Sequence, residues 1–341
     1  MRDLVSILIP AYNAQQWIGD TIESALSQTW ERKEIIVVDD GSTDQTLAVA
    51  RQFASRDVAV LAQSNQGAAA ARNRAFSACQ GDWVQWLDAD DLLAPDKIER
   101  QAEALERCDS KRTLLSSAWA PFIYRFFRAN FIPTPLWCDL SPVEWLVRKW
   151  EHNLFMQPAT WLVSRELTEA AGPWDTRLIG DDDGEYFCRV LLASNGVRFV
   201  PRAKVYYRRC LGSLSFIGRS DRKMESQFLS MKIHIDYLRS LENSPRVRAA
   251  CIKYLQRYLL YFYPERTEIV REARALAASL GGALANPALP WKYGWIQKLF
   301  GWDLAKRAWV FLPRFRESFV RAWDKLLFSV ENRKHSTSPA T

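Results

Sequence analysis

The sequence predicts an α/β protein with a mostly parallel central sheet flanked by helices, followed by a helical C-terminal extension. Up to residue 88, short β-branched runs alternate with helical patterns, an order that produces parallel strands covered by helices on both faces. After residue 213, apolar residues recur at helical spacing. The 341 residues are 48% hydrophobic and 25% charged, which is typical of a globular protein with a substantial core.

The first four strands are predicted where apolar or β-branched runs end in turn residues. They cover 5–9, 34–38, 58–61 and 83–87, and the intervening helical patterns fall at 14–26, 47–53 and 68–79. Further along, a strand is predicted at 160–163, a helix at 184–193, and closing strands at 197–200 and 204–207. The segment 121–142 is rich in proline and aromatic residues, and we interpret it as a loop-rich insertion or a surface lid.

The composition excludes several classes of protein. The six cysteines are scattered, without a C-x-x-C pair or a histidine at zinc-ligand spacing, which indicates a reducing compartment and no structural metal site. The N-terminal residues run directly into strand-like sequence, so no signal peptide is expected. No run of about 18 apolar residues occurs in the sequence, so no membrane-spanning helix is expected either.

Three carboxylates follow the fourth predicted strand within four positions, at Asp88, Asp90 and Asp91. Unpaired carboxylates are costly to bury, so this cluster is expected at the exit of the strand, facing water or a cation. Ligands bind at the carboxyl ends of strands in open α/β sheets, and Mg²⁺ prefers carboxylate oxygens and shares its shell with substrate phosphates. The alternative is a solvated acidic turn that caps the next helix.

The ends of the first two strands carry residues suited to a nucleotide. Tyr12 follows the first strand and offers a ring on which a base could stack, although a half-buried core tyrosine is the commoner situation. Asp39 and Asp40 end the second strand and could accept hydrogen bonds from a base or ribose, or could form a turn before a capped helix. No G-x-G-x-x-G follows the first strand, which counts against a dehydrogenase.

Two further features have possible chemical roles. Arg72 lies one turn into a helix of small residues, where it could pair with a diphosphate or orient the Asp cluster; an ordinary exposed arginine is the alternative. A second acidic cluster, at 181–183, precedes a helix in which Glu185 and Arg189 are spaced for an ion pair. Adjacent carboxylates repel one another, so one of the three is expected to hold its proton to higher pH and to suit a general base. A solvated helix cap is the alternative.

The C-terminal region carries most of the basic charge. Of the formal net charge of +7, the segment 291–334 contributes ten Lys or Arg against four Asp or Glu. Five tryptophans lie between these charges, at 291, 295, 302, 309 and 323. Basic amphipathic helices with aromatic residues lie on anionic membranes, so peripheral membrane contact is expected through 291–329. Packing of these helices on the rest of the protein is the alternative. Nucleic acid is not expected, because no binding module is recognised.

Four ordered motifs, at 5–13, 37–44, 65–73 and 87–91, together resemble those of the family 2 glycosyltransferases with the GT-A fold. The resemblance is close over about the first 100 residues and looser to about residue 210. It implies an inverting transferase that uses a nucleotide-diphosphate sugar, usually with Mg²⁺ or Mn²⁺. The Q-x-x-R-W motif and membrane spans of the processive synthases in this family are not seen in the sequence, so transfer of one sugar at a time is expected.

The resemblance implies roles for residues at the donor end of the site. Pro10, Ala11 and Tyr12 would border the nucleotide, and Tyr12 would stack on the base. Asp39 or Asp40 would hydrogen-bond the base or the ribose. These residues follow the first two strands, so the nucleotide is expected at that edge of the sheet.

Around the diphosphate, the resemblance implies three charged residues. Arg72 would sit near the nucleotide, Asp88 would touch the ribose side of the donor, and Asp90 would ligate the metal that bridges the diphosphate. The metal and Arg72 would stabilise the charge that develops on the leaving nucleoside diphosphate.

The second acidic motif of the family, Glu-Asp with an Arg six residues on, resembles Asp182, Asp183 and Arg189 here. The sequence departs from that motif by having Asp at 182, and Asp181 adds a third candidate. Asp183 is the expected catalytic base, which takes the proton from the acceptor hydroxyl, and Asp182 is the reserve candidate.

The expected protein is thus a metal-dependent glycosyltransferase acting on a lipid-linked or cell-surface glycan, with a UDP-sugar favoured as the donor. A catalytically silent sugar-nucleotide-binding scaffold is the alternative. The expected organisation is a GT-A catalytic domain at 1–215, a helical region at 216–331 that could associate with a membrane, and a disordered tail at 332–341. The expected location is cytoplasmic, and membrane contact would put the protein at the inner face of the plasma membrane.

Overall fold

The computed structural model describes residues 3–105, 110–210 and 220–336. Its strands, in chain order, are β1 (Val5–Ala11), β2 (Lys33–Asp40), β3 (Val58–Gln63), β4 (Trp83–Trp86), β5 (Leu92–Leu93), β6 (Thr113–Phe122), β7 (Val163–Ser164) and β8 (Gly196–Arg208). Its helices are α1 (Ile18–Leu26), α2 (Thr46–Arg51), α3 (Ala68–Ala78), α4 (Lys97–Leu105), α5 (Pro142–His152), α6 (Arg165–Ala171), α7 (Asp182–Ala193), α8 (Asp221–Leu241), α9 (Pro245–Phe262), α10 (Thr267–Ser279) and α11 (Gly294–Ser336).

The main sheet has five strands in the order β3-β2-β1-β4-β7. The first four are parallel, and only β7 runs antiparallel to its neighbour. Every residue of β1 is buried, as expected for a central parallel strand with helices on both faces. The predicted α/β class with a mostly parallel central sheet is therefore confirmed. The parallel order brings the carboxyl ends of β1, β2 and β4 to one edge of the sheet.

A second sheet, in the order β5-β8-β6, lies beyond the acidic turn. Strand β6 was missed in the sequence, and β8 is continuous where two strands were predicted. The residues 201–203, beginning with a proline, suggested a break between strands. They instead form an irregularity opposite Ser117 and Ala118, where the register with β6 shifts and then resumes.

The apolar core of the sheet continues into the C-terminal helices. Leu8 and Trp86 of the main sheet belong to the same buried cluster as Phe228 of α8, Leu255 of α9 and Ala277 of α10. Helix α5 joins this cluster, because Trp150 stacks on Tyr254 of α9 with ring centroids 4.9 Å apart. A continuous apolar core fixes the position of α8, α9 and α10 against the strands that end at the acidic residues.

Helix α11 is interrupted at Gly301, whose φ of 83° is not helical, and it contains Pro313. Its second part contacts the region after β6 and the end of β8. Asp324 accepts a hydrogen bond from the backbone N–H of Tyr124 at 2.9 Å and forms an ion pair with Arg125 at 2.7 Å. Arg321 donates a hydrogen bond to the carbonyl of Arg209. The helix runs to Ser336, five residues into the segment expected to be disordered, and 337–341 lie outside the described residues.

Candidate active site

The acidic turn after β4 is held from two sides. The hydroxyl of Thr21 on α1 donates to the carbonyls of Ala89 and Asp91, each at 3.0 Å. The backbone N–H of Asp91 donates to the carbonyl of Asp88 at 3.1 Å, which closes the turn. The resulting turn places Asp88 and Asp90 in partly buried positions at the exit of the strand, whereas Asp91, which was expected to face water or a cation with them, is fully buried.

Arg208, the last residue of β8, fixes the same turn from the opposite side. Its backbone N–H donates to Asp91 Oδ1 and its Nε donates to the carbonyl of Asp90, both at 2.8 Å. The guanidinium lies between the rings of Trp17 and Phe122, 4.2 and 4.5 Å from their centroids. Arg208 was not predicted from the sequence, because 117 positions separate it from Asp91 and no motif marks it.

Burial raises the pKa of Asp90 to about 6, and repulsion from Asp88 adds to this rise while a hydrogen bond from Cys210 opposes it. Burial, together with repulsion from Asp90 and Asp88, raises the pKa of Asp91 well above its ordinary value. In the part of the chain that the structure describes, Asp91 Oδ2 is buried without a hydrogen-bond partner and Asp90 has no ion-pair partner. A cation would stabilise this excess of carboxylate.

Arg72 connects the two acidic clusters. Its Nη2 lies 2.8 Å from Asp88 Oδ1, and its Nη1 lies 2.7 Å from Asp182 Oδ2. The guanidinium also packs 4.3 Å from the ring centroid of Trp174. It is almost fully buried, so the alternative of an ordinary exposed arginine is wrong. The small residues Ala69, Ala71 and Ala75 allow α3 to lie against the sheet and bring Arg72 to this position.

The three carboxylates at 181–183 have different surroundings. Asp181 Oδ2 accepts hydrogen bonds from Gln227 at 3.0 Å and Ser230 at 2.8 Å, both on α8, so Asp181 attaches α7 to that helix. Asp182 pairs with Arg72. Asp183 accepts only from the backbone N–H of Gly184, at 2.9 Å, in the hydrogen bonds found among the described residues.

Burial, with repulsion from Asp182 and Asp181, raises the pKa of Asp183 to about 7. Burial also raises the pKa of Asp182, although the Arg72 guanidinium opposes this rise. A carboxyl group that titrates near neutral pH and lacks a side-chain partner matches the requirements of a general base. Of the three carboxylates, Asp183 meets them best.

Asp183 lines a cavity of about 300 Å³. The other lining residues are Trp145, Lys149, Asn153, Leu154, Phe155, Met156, Trp161, Asp181, Gly184, Phe187, Cys188 and Tyr258. They come from α5, the segment after it, α7 and α9. No element was predicted from the sequence at α5, so the Trp145 ring and the Lys149 side chain that it supplies to the cavity were missed.

Asp39 and Asp40 differ in their hydrogen bonds. Asp40 accepts from the backbone N–H groups of Gln66 and Gly67, at 2.9 and 2.8 Å, and from the side chain of Gln63. It therefore closes the loop before α3. Asp39 Oδ2 accepts only from the N–H of Ser42 at 3.2 Å, and its buried Oδ1 has no partner among the described residues. Asp39 is thus the carboxylate with an oxygen left for a ligand.

The aromatic ring predicted to stack on a base lies at the same edge. Pro10 and Ala11 are the buried last residues of β1, and Tyr12 follows them with 51% of its surface exposed. Asn13 ties this segment to the loop after β2, because its amide oxygen accepts from the backbone N–H of Thr43 at 2.9 Å. Tyr12 is thus half exposed at the edge of the sheet, and its stacking on a base stays a prediction.

Arg189 does not contact Asp182 or Asp183. Its guanidinium forms two hydrogen bonds with Glu185, at 2.7 and 2.8 Å, as the spacing predicted. It also donates to the carbonyls of Ala171 and Pro173, after α6. Arg189 therefore fixes the orientation of α7 relative to α6, and α7 carries Asp182 and Asp183 at its N-terminus.

The acidic turn fits a divalent cation that is shared with a substrate. Among the described residues, no group of three or more His, Cys, Asp or Glu side chains could hold a metal by itself. Mg²⁺ is commonly bound through one or two carboxylates plus substrate phosphates, so Asp90 with a diphosphate would suffice. The unpaired carboxylate of Asp90 and its raised pKa are the features that fit.

A mostly parallel sheet with acidic residues at its strand ends is the arrangement that the resemblance to the GT-A fold implied. Residues 6–113 match the family model described as glycosyl transferase family 2. This match covers about the first third of the chain.

Among the curated relatives, the putative teichuronic acid biosynthesis glycosyltransferase TuaG of Bacillus subtilis is 43% identical over 105 residues, which are 30% of this chain and 42% of that protein. An uncharacterized glycosyltransferase of Haemophilus influenzae is 41% identical over 101 residues, 29% of this chain and 40% of that protein. The chain therefore spans less than half the length of these relatives.

Similarity to solved structures extends further along the chain. The crystal structure of S. aureus TarS 1–349 in complex with UDP-GlcNAc matches with a TM-score of 0.63 over 81% of this chain and 81% of that chain, at 16% sequence identity. The same protein in complex with UDP matches with a TM-score of 0.60. At this identity the match establishes a shared fold, and it includes regions well beyond the family match.

Proposed function

We propose that this chain is an inverting glycosyltransferase that moves a single sugar from a nucleotide-diphosphate sugar to a hydroxyl of a glycan. A UDP-sugar is the favoured donor, because TarS, which shares this fold, was crystallised with UDP and UDP-GlcNAc. The observation that carries the proposal is the position of Arg72, within 2.8 Å of carboxylates from both acidic clusters. It joins the donor end of the site to the cavity that Asp183 lines.

At the donor end, Tyr12 stacks on the base, beside Pro10 and Ala11. Asp39 accepts a hydrogen bond from the base or ribose through its free Oδ1, while Asp40 supports the loop from behind. Asp88 lies on the ribose side of the donor. The free carboxylate oxygen and the exposed ring lie on adjacent strands of the sheet, which supports this arrangement.

Asp183 is the proposed base. It accepts the proton of the acceptor hydroxyl as that oxygen attacks the anomeric carbon from the face opposite the leaving nucleoside diphosphate. The bond from oxygen to the anomeric carbon forms while the bond to the diphosphate breaks, so the configuration inverts in one displacement. The pKa of Asp183, about 7, supports this role because proton transfer is most efficient when the pKa of the base is near the working pH.

Family 2 glycosyltransferases generally use a divalent metal, and Asp90 would hold Mg²⁺ or Mn²⁺ here. The metal, when bound, supplies Lewis-acid stabilisation of the leaving diphosphate. Arg72 adds a fixed positive charge beside the same group, and Arg208 and Thr21 hold the turn that carries Asp90. Those fixed contacts mean that little reorganisation is needed when charge develops.

The proposed acceptor is a lipid-linked or cell-surface glycan, and α11 is the proposed contact with the membrane. Trp291 is 91% exposed, and Phe315 and Phe319 are 73% and 72% exposed. Phe315 lies on the side of the helix opposite Asp324, whose side chain contacts the rest of the protein. No helix among the described residues has the length and hydropathy to span a bilayer, so contact would be peripheral. The proposed location is the cytoplasm, at the inner face of the plasma membrane.

The deciding experiment compares transfer with donor binding in the full-length chain. Release of UDP from UDP-GlcNAc is measured with and without a glycan acceptor, and binding of UDP is measured by calorimetry. We expect Asp183→Asn to reduce acceptor-dependent release by at least about 10²-fold. UDP binding is expected to change less than about threefold.

Glu169→Gln, at an exposed position on α6, is the matched control. A full loss of UDP binding in the Asp183→Asn variant would contradict the role of Asp183 as base. UDP binding without release for any nucleotide sugar or acceptor would instead support the silent scaffold.

A further inference from the structure

We propose that the cavity beside Asp183 selects an acceptor saccharide that carries a carboxylate or phosphate group, which Lys149 recognises. The inference rests on the proposed function, because it takes Asp183 as the residue that meets the attacking hydroxyl. It adds the chemical class of the acceptor. The two sources of the anionic group are a uronic acid and a sugar or polyol phosphate, which share negatively charged oxygens.

The walls of the cavity suit one sugar residue. Trp145, Trp161 and Phe187 are buried in its lining, and Phe155 is half exposed. Aromatic surfaces with a few polar groups are typical of small-ligand sites, and a volume of about 300 Å³ lies at the lower end of their range. Such rings can pack against the apolar face of a pyranose. Asp183 lines the same cavity, so a bound sugar would lie within reach of the base.

Two of the residues that line this cavity have indole N–H groups without acceptors. Neither Trp145 Nε1 nor Trp161 Nε1, both buried, has a hydrogen-bond partner within the described ranges. Burying a donor without a partner costs free energy, so an acceptor oxygen that reached either N–H group would be favoured. Indole N–H groups only donate, which points to a ligand rich in acceptors.

Among the described residues that line this cavity, Lys149 is the one basic side chain, and it shares the lining with the carboxylates of Asp181 and Asp183. Among the described residues it forms no ion pair, and its Nζ makes a cation–π contact with Trp145, 5.8 Å from the ring centroid. It lies in the last turn of α5, where the helix dipole favours a positive charge. An ammonium group held in a partly enclosed, aromatic site pairs strongly with an anionic oxygen.

Lys149 also lies close enough to the base to affect it. Its charge lowers the pKa of Asp183, although burial and the two neighbouring aspartates outweigh this effect. An anion bound to Lys149 would cancel part of that charge. The bound acceptor would therefore raise the pKa of Asp183 and make it a stronger base at the moment when it is needed.

The test compares two sugars that differ in the anionic group, methyl β-glucuronide and methyl β-glucoside. Binding to the full-length chain is followed by ligand-observed NMR titration, with and without UDP. We expect the wild-type protein to bind the glucuronide at least about tenfold more tightly, which is about 1.4 kcal/mol. Lys149→Met is expected to remove this preference and Lys149→Arg to retain most of it. Lys253→Met, exposed on α9, is the matched control.

A second arm replaces the glucuronide with glycerol 1-phosphate to distinguish a phosphate from a carboxylate. Tighter binding of either anion that depends on Lys149 supports the proposal and names the source. Equal binding of all three probes by the wild-type protein overturns it, as does an equal weakening of all three in Lys149→Met. If Lys149→Met does not fold, the relative affinities of the wild-type protein for the three probes still test the preference for an anionic sugar. If the protein does not bind UDP, the proposed function is contradicted. The comparison of the charged and neutral sugars in the absence of UDP still tests the role of Lys149.

Discussion

The guanidinium of Arg72 and the carboxylate of Asp182, which are 110 residues apart in the sequence, lie 2.7 Å apart in the structure. The same guanidinium pairs with Asp88 at the end of β4. This ion-pair network is the direct link between the turn that follows β4 and the helix that carries the proposed base. Since Arg72 is almost fully buried, its charge is screened little by solvent, and its loss would leave two carboxylates without their partner.

Arg72→Met is expected to lower the free energy of unfolding by roughly 2–4 kcal/mol at neutral pH. The methionine keeps the packing against Trp174 but leaves Asp88 and Asp182 unpaired. Urea unfolding followed by circular dichroism measures the effect, with Arg74→Met, exposed on the same helix, as the control. A loss no larger than that of the control would show that the network contributes little to stability.

Asp39→Asn and Asp40→Asn are expected to have opposite effects on thermal stability and on UDP binding. Asp40 accepts three hydrogen bonds that close the loop before α3, so its substitution is expected to lower the melting temperature. Asp39 has a free oxygen, so its substitution is expected to leave stability nearly unchanged and to weaken UDP binding about tenfold. Thermal unfolding and calorimetry on both variants measure this. Weaker UDP binding in the Asp40 variant alone would assign the ligand contact to the other residue.

Asp183→Asn is expected to stabilise the protein at pH 8 and to have a smaller effect at pH 4. The folded pKa of Asp183, about 7, exceeds the unfolded value of about 4, so the folded state binds more protons between these values. Stability therefore falls as the pH rises through this window. The wild-type protein is expected to lose about 1–3 kcal/mol of unfolding free energy between pH 4 and pH 8, and the variant is not expected to show this loss. Urea unfolding at both pH values measures the difference.

The groups that face Asp183 are Asp181 and Asp182 on its own segment, Lys149 on α5, and Arg72 on α3. Because Lys149 lowers the pKa of Asp183, Lys149→Met is expected to enlarge the fall in stability between pH 4 and pH 8. The control is Glu169→Gln, for which no such change is expected. A stabilisation by Asp183→Asn that is the same at both pH values would mean that the carboxyl group titrates normally.

Chelation of divalent metal is expected to weaken UDP binding about tenfold, and Asp90→Asn is expected to remove this dependence on metal. The reason is that Asp90 has no ion-pair partner among the described residues and would share the cation with the diphosphate. Calorimetry of UDP binding in Mn²⁺ and in EDTA provides the measurement. Asp96→Asn, at a position paired with Arg100 on the surface, is the control. Equal affinity in both buffers would remove the metal from the proposal.

Substitution of Phe315 and Phe319 by Asp is expected to reduce sedimentation with phosphatidylglycerol vesicles at least about fivefold. Both side chains are more than 70% exposed, so the change is not expected to affect folding. Ser318→Asp adds a charge on the same turn and is the control. If the wild-type protein does not sediment with the vesicles, or if it sediments equally with the Phe315 and Phe319 variant and the Ser318→Asp control, α11 would only pack against the rest of the protein.

Much of the fold was predictable because the signals are local. Each of the first four strands, β1 to β4, has an apolar run followed by turn residues in the sequence, and all four strands form in the structure. Strand β6 was not predictable in this way, because its main partner, β8, lies some 80 residues further along the chain and its interior includes two serines. Helix α5 was missed because prolines on both sides suggested an irregular segment.

The site was predictable to the level of motifs and not to the level of single atoms. The sequence indicated that two acidic clusters and Arg72 have chemical roles, and the structure brings them together. The sequence alone could not distinguish Asp39 from Asp40, because the hydrogen bonds of each carboxylate depend on which loop backbone lies next to it in the folded chain. Arg208 and Lys149 carry no motif at all, and only the folded chain shows what surrounds them.

The cluster shared by the sheet and the C-terminal helices has a practical consequence for dissecting this protein. A fragment that stops near residue 215 would lose Phe228, Leu255 and Ala277, and would uncover the apolar surfaces of α5 and α7 on which α8 and α9 rest. It would also lose the two α8 side chains that hold Asp181. Such a shortened polypeptide would therefore aggregate rather than fold, and the minimal soluble unit should extend at least through α10.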